Sequence, residues 1–152
     1  MDALAADELK MFVESVREYF RVVTRQEPQI TSAFLATSEV QGHDYSGIVT
    51  FSGACNGHVI VSMPGQLLKE LLLLQGETDV SRANLLDTVG EIANTLGGNA
   101  RKTLGSELQI SVPVKLHGSA GIRARVRKHP YAITLRWNLQ PAVVWIDMER
   151  RA

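Results

Sequence analysis

A chain of 152 residues with 16 Lys+Arg against 16 Asp+Glu, 45% hydrophobic and 21% charged, has the profile of one soluble globular domain over residues 1–152, with enough apolar mass for a core. A net charge of zero argues against nucleic-acid backbone or acidic membrane as a partner, since both draw on a large positive excess. The lone cysteine, Cys55, excludes an internal disulfide, and no paired Cys/His spacing marks a structural zinc site.

The N-terminus, Met1 to Glu8, is acidic where a secretory signal is basic, and the run Leu71 to Leu74 is too short to span a bilayer. A cytoplasmic protein is expected. Residues 7 to 26 carry Leu9, Phe12, Val13, Val16, Tyr19, Phe20 and Val23 at helical spacing, with Asp7 as a cap and Pro28 beyond the end. Three β-rich runs follow, Ala33 to Val40, Gly47 to Ser52 and His58 to Met63. The Asn56-Gly57 pair predicts a hairpin turn, and the three runs read as a meander. Pro64 opens a largely buried helix with Leu67, Leu68, Leu71, Leu72 and Leu74, which Gly76 stops.

A third helix is predicted from Ser81 to about Leu104, ended by Gly105. Ile110, Val112, Val114 and Leu116 then alternate with polar positions as in a half-buried strand, and Pro113 points to an edge or a bulge. In the terminal hairpin, Tyr131 to Trp137 alternates, the turn falls at Asn138 to Pro141, and Val143 to Met148 is apolar on both faces, as in a covered central strand. The expected fold is α+β, a two-layer domain whose mainly antiparallel sheet is covered by helices.

The third helix holds the chemistry. At about 100° per residue, Leu85, Val89, Ile92, Ala93, Leu96 and Ala100 fall on one side, and Asp87, Glu91, Asn94, Gly98 and Arg101 on the other. A carboxylate and a carboxamide therefore stand one turn apart on a ridge that a partner can meet. The bland alternative is a solvated helix face. Against it stand Gly90, Gly97 and Gly98, each costing about 1 kcal/mol in a helix interior, which predicts close approach of another backbone. Asn99 lies near the apolar boundary and reads as a structural asparagine tying helix to sheet.

The pattern Asp87-x-x-x-Glu91-x-x-Asn94-x-x-x-Gly98-Asn99-Ala100 resembles the signature helix of the CheX branch of the CheC/CheX/FliY chemotaxis phosphatases. Pro113 is similar to the proline downstream of that motif, and Arg101 replaces a lysine often found there. The opening helix ending at Glu27-Pro28, the strand Gly57 to Met63, the leucine-rich helix and the terminal hairpin follow the family's order, and only one Glu-x-x-Asn pair is present.

The resemblance implies a CheC/CheX-like fold and a phosphatase acting on the phospho-aspartate of a CheY-like response regulator. Such a catalyst needs chiefly to hold water in line with an already activated phosphorus bond. Asn94 would orient the water and Glu91 would pair with the regulator's active-site lysine, with Asp87, Gly98 and Arg101 at the docking surface. The Mg²⁺ would belong to the regulator, leaving this chain with no cofactor of its own. The rival is a catalytically silent module that binds a response regulator or a flagellar-switch protein.

Other signals are weak. Gly53-Ala54-Cys55-Asn56-Gly57 has the outline of a hydrolase elbow but leads into a strand, and Gly97 to Thr103 lacks the glycine of a phosphate loop. His43, His58, His117 and His129 share no ligand spacing. Arg123, Arg125 and Arg127 alternate on one predicted strand face, without the interleaved aromatics of a nucleic-acid surface. The resemblance also implies a homodimer joined through its sheets, for which Trp137, Val143, Val144, Trp145 and Ile146 offer apolar surface.

Overall fold

The structure, a computed structural model, describes residues 6–37, 39–118 and 130–150. In chain order the elements are α1 (Ala6–Thr24), β1 (Gln29–Leu35), β2 (Tyr45–Gly53), β3 (Cys55–Met63), α2 (Gly65–Leu74), α3 (Arg82–Leu104), β4 (Leu108–Ile110), β5 (Val114–His117), β6 (Tyr131–Trp137) and β7 (Gln140–Arg150). The strands form one antiparallel sheet in the order β1-β6-β7-β3-β2-β4, with β5 also paired to β2. The fold is α+β, as expected.

Alternation along the strands sorts the core. Val49, Phe51, Val59, Val61, Ile133, Leu135, Val144 and Ile146 point to one face, where they join Phe12, Val16 and Phe20 of α1, the α2 leucines and the apolar side of α3. Ile48, Ile60, Ala132, Val143 and Trp145 point to the other, packed with Ala36, Val40 and Leu116. A polar strap borders this second cluster: buried Ser46 donates to Ser62 Oγ at 3.0 Å, and the His43 amide donates to the same oxygen at 2.8 Å.

Several local expectations fail for tertiary reasons. Asp7 lies in the first turn of α1, where its charge suits the helix dipole, and the helix ends at Thr24 as Arg25 turns to φ 60°. The three early strands are no meander. The first runs from Gln29 to Leu35 and pairs with β6 at the far edge, so only β2 and β3 form a hairpin. The positive φ of that turn is at Gly53, while Gly57 lies inside β3, where a Cβ would run into the Asp147 carbonyl of β7.

In α2, Leu67, Leu68, Leu71 and Leu72 are buried, but Leu74 is exposed together with Leu73. The segment around Pro113 is two short edge strands, with Ser111 bridging the break by donating its amide to the Thr50 carbonyl. Val112 and Val114 face solvent. The β6–β7 turn is tighter than predicted, with only Asn138 and Leu139 at positive φ. The stretch holding Arg123, Arg125, Arg127 and His129 lies outside the described residues.

The apolar terminal hairpin does not supply a dimer surface. Trp137 is 4% exposed and packs 5.8 Å from the Phe20 ring under the helices, whereas Trp145 is 2% exposed in the second cluster on the opposite face. One chain buries both.

Candidate functional site on helix α3

Ser81 caps α3 by accepting the Asn84 amide, and Gly105 at φ 110° ends it. Leu85, Val89, Ile92, Ala93, Leu96 and Ala100 are buried against the sheet, so the opposite ridge is presented outward. It is flanked by α1 on one side and β5 on the other.

Most of the singled-out polar side chains are committed within the fold. Asn99 donates from Nδ2 to Ser15 Oγ at 2.8 Å, tying α3 to α1; among the described residues it makes no tie to the sheet, where one was expected. Arg101 donates from Nε to the Leu108 carbonyl at 3.0 Å and from a terminal nitrogen to the Ser106 carbonyl at 3.4 Å, closing the turn beyond the helix. Asp87 is met by Lys115 of β5, whose Nζ lies 2.5 Å from its Oδ1.

Glu91 and Asn94 differ. Both are exposed, and among the described residues no hydrogen bond or ion pair engages the carboxylate or the amide. Glu91 stands toward α1. Burial, reinforced by the Glu91 charge, raises the Tyr19 hydroxyl above its ordinary range, so this neighbour stays a neutral phenol.

The glycines meet the expectation in part. At Gly90 the backbone of β2 does come close, the Gly90 Cα lying 3.1 Å from where a Gly47 Cβ would be, and Lys115 carbons lie from 3.1 Å from where a Gly90 Cβ would be. At Gly97 a side chain approaches instead, Val49 Cγ1 lying 3.0 Å from the missing Cβ. Gly98 has nothing within 4 Å, which leaves bare backbone on the ridge one turn beyond Asn94. Sequence reasoning passed over Lys115 and Tyr19, because each reaches the ridge only through the packing of its own element.

Cys55 is buried at the start of β3, and His58 meets Asp147 across β3 and β7 at 3.2 Å. Burial lowers the pKa of His43, opposed by Asp44. Among the described residues no cluster of His, Cys, Asp or Glu could hold a metal, and no helix is long and apolar enough to cross a membrane.

The family model described as chemotaxis phosphatase CheX matches residues 45–136, which is more than half of the chain and includes all of α3. The chain belongs to the CheX family. Its fold recurs in a CheC-like superfamily protein from Shewanella sp. PV-4, at TM-score 0.80 and 18% identity over 95% of this chain and 99% of that one. The chemotaxis protein CheX from Vibrio vulnificus aligns at TM-score 0.77 and 20% identity over 95% and 100% of the two chains. A chain of the CheX–CheY–BeF3–Mg²⁺ complex from Borrelia burgdorferi aligns at TM-score 0.76 and 16% identity over 93% and 97%. No curated protein matches in sequence.

Proposed function

We propose that this CheX-family chain hydrolyses the phospho-aspartate of a CheY-like receiver domain, with the α3 ridge as its working surface. The observation that carries this reading is that Glu91 and Asn94 stay exposed and uncommitted while Asp87, Asn99 and Arg101 are engaged within the chain.

A neutral carboxamide suits the task. Asn94 can donate to and accept from one water without repelling phosphoryl oxygens, and so hold it in line with the phosphorus–oxygen bond. Water's oxygen bonds to phosphorus, the bond to the aspartyl oxygen breaks, and the products are inorganic phosphate and the free carboxylate. Glu91, one turn earlier, would pair with a lysine of the receiver and fix the orientation of docking. The open backbone at Gly98 lets the receiver come close beside Asn94. The Mg²⁺ would be the receiver's, in keeping with the composition of the Borrelia complex. A homodimer, through the outer edge of β1, completes the reading.

The deciding experiment incubates the full chain with Mg²⁺ and phosphorylated receiver domains of its own organism, following loss of phosphate. At least one receiver is expected to lose phosphate faster than it does alone. Binding without acceleration would instead indicate a silent docking module.

A further inference from the structure

Lys115 stands where three elements meet. In the sheet it is the cross-strand partner of Gly47, the strand residue against which α3 packs backbone to backbone. Its Cγ, Cδ and Cε lie 3.1, 3.3 and 3.3 Å from where a Gly90 Cβ would be. The aliphatic stem thus lies along bare helix backbone, and the ammonium ends on Asp87.

An exposed ion pair ordinarily contributes little, because a long side chain must be ordered to form it. Here packing along Gly90 already orders the stem, so the ammonium is delivered to Asp87 at a smaller entropic cost. The consequence concerns Glu91. Asp87 and Glu91 are i, i+4 neighbours on one ridge, roughly 6 Å apart, and both are exposed. Without Lys115 the ridge would offer two similar carboxylates; with it, Glu91 keeps the one uncompensated charge of the pair.

We infer that Lys115 is a positioning residue that sets the docking register: by neutralising Asp87 it leaves Glu91 as the carboxylate that a cationic side chain of the receiver meets. Pairing at Glu91 brings the phosphoryl group to Asn94, and pairing at Asp87 would leave it one turn away. This inference rests on the reading of the ridge as a receiver-docking phosphatase site.

The test uses the full chain with a receiver that the unmodified protein dephosphorylates, and compares Lys115→Met, which keeps the stem and removes the charge, with Lys115→Met combined with Asp87→Asn. Unmasked Asp87 should capture bound receiver in the wrong register. Such nonproductive binding lowers kcat and KM together and leaves kcat/KM unchanged, by about twofold when the two registers are equally filled and by more when Asp87 is preferred. The combined variant should return both parameters to the unmodified values. A wild-type kcat for Lys115→Met, or a fall in kcat/KM that Asp87→Asn does not restore, overturns the inference and leaves the phosphatase reading standing. If the unmodified chain accelerates no receiver, the phosphatase reading itself fails and the inference falls with it.

Discussion

A Cβ on Gly47 would lie 2.5 Å from the Val89 carbonyl oxygen and 3.1 Å from the Gly90 Cα, so β2 and α3 touch through their backbones at the middle of the ridge-bearing helix. No rotamer change can relieve such a contact. Gly47→Ala must push α3 off the sheet or bend β2, and overpacking of this kind costs about 1–3 kcal/mol. Thermal unfolding should show a clearly lower midpoint; an unchanged Tm would mean that the close approach does not hold in solution.

Gly98 is the counter-case. Nothing lies within 4 Å of its missing Cβ, and alanine in a helix interior is favoured over glycine by about 1 kcal/mol. Gly98→Ala should therefore raise the Tm. If the receiver docks on the bare backbone, the same variant should bind it more weakly, a split between stability and affinity that calorimetry and a binding titration resolve. Stabilisation with unchanged affinity would remove Gly98 from the docking surface.

Asn94→Ala isolates the chemical step. The side chain is exposed and unengaged, so its removal should leave the fold and the docking surface intact. Loss of a group that positions a reacting water typically costs about 10²-fold or more. Single-turnover loss of phosphate from the receiver measures it, and turnover at the wild-type rate would release Asn94 from the role.

Glu91→Lys tests the electrostatic half of the site. An exposed helix position tolerates lysine, so circular dichroism should be unchanged. Docking should weaken, because the new ammonium repels the receiver's lysine. The weakening should shrink as salt is added, over the range where the Debye length falls below about 10 Å. Affinity that survives the charge reversal at low salt would place Glu91 outside the interface.

The extent of α3 and the division of its faces were legible in the sequence, because 23 helical residues carry a long periodic pattern between a serine cap and a glycine stop. The strand order was not. β1 joins β6, Ile30 opposite Leu135, and nothing local encodes a partner so distant in sequence. The Asn-Gly signal misled because Gly57 is a glycine for the sake of β7 passing over it, not for a turn. Within the site, spacing brought Asp87, Glu91, Asn94 and Arg101 to one ridge. Which of them are already engaged depends on Lys115 of β5 and on the Ser106 and Leu108 carbonyls beyond the helix, contacts that helical spacing does not encode.

Assembly is the last prediction, and the burial of both tryptophans moves it to a different edge. Among the described residues β1 pairs only with β6, so none of them pairs with its outer N–H and C=O groups, and the residues of the strand are almost all exposed. Phe34 is 40% and Leu35 48% exposed there. An open strand edge with apolar side chains invites a second strand, and a two-fold contact satisfies it without open-ended growth. Sedimentation at micromolar concentration should therefore give a two-chain mass. Phe34→Lys combined with Leu35→Lys should reduce it to one chain without unfolding the protein, since neither side chain belongs to the buried core. A one-chain mass for the unmodified protein would dismiss the dimer, and a two-chain mass that persists in the double-lysine variant would place its interface elsewhere than on β1.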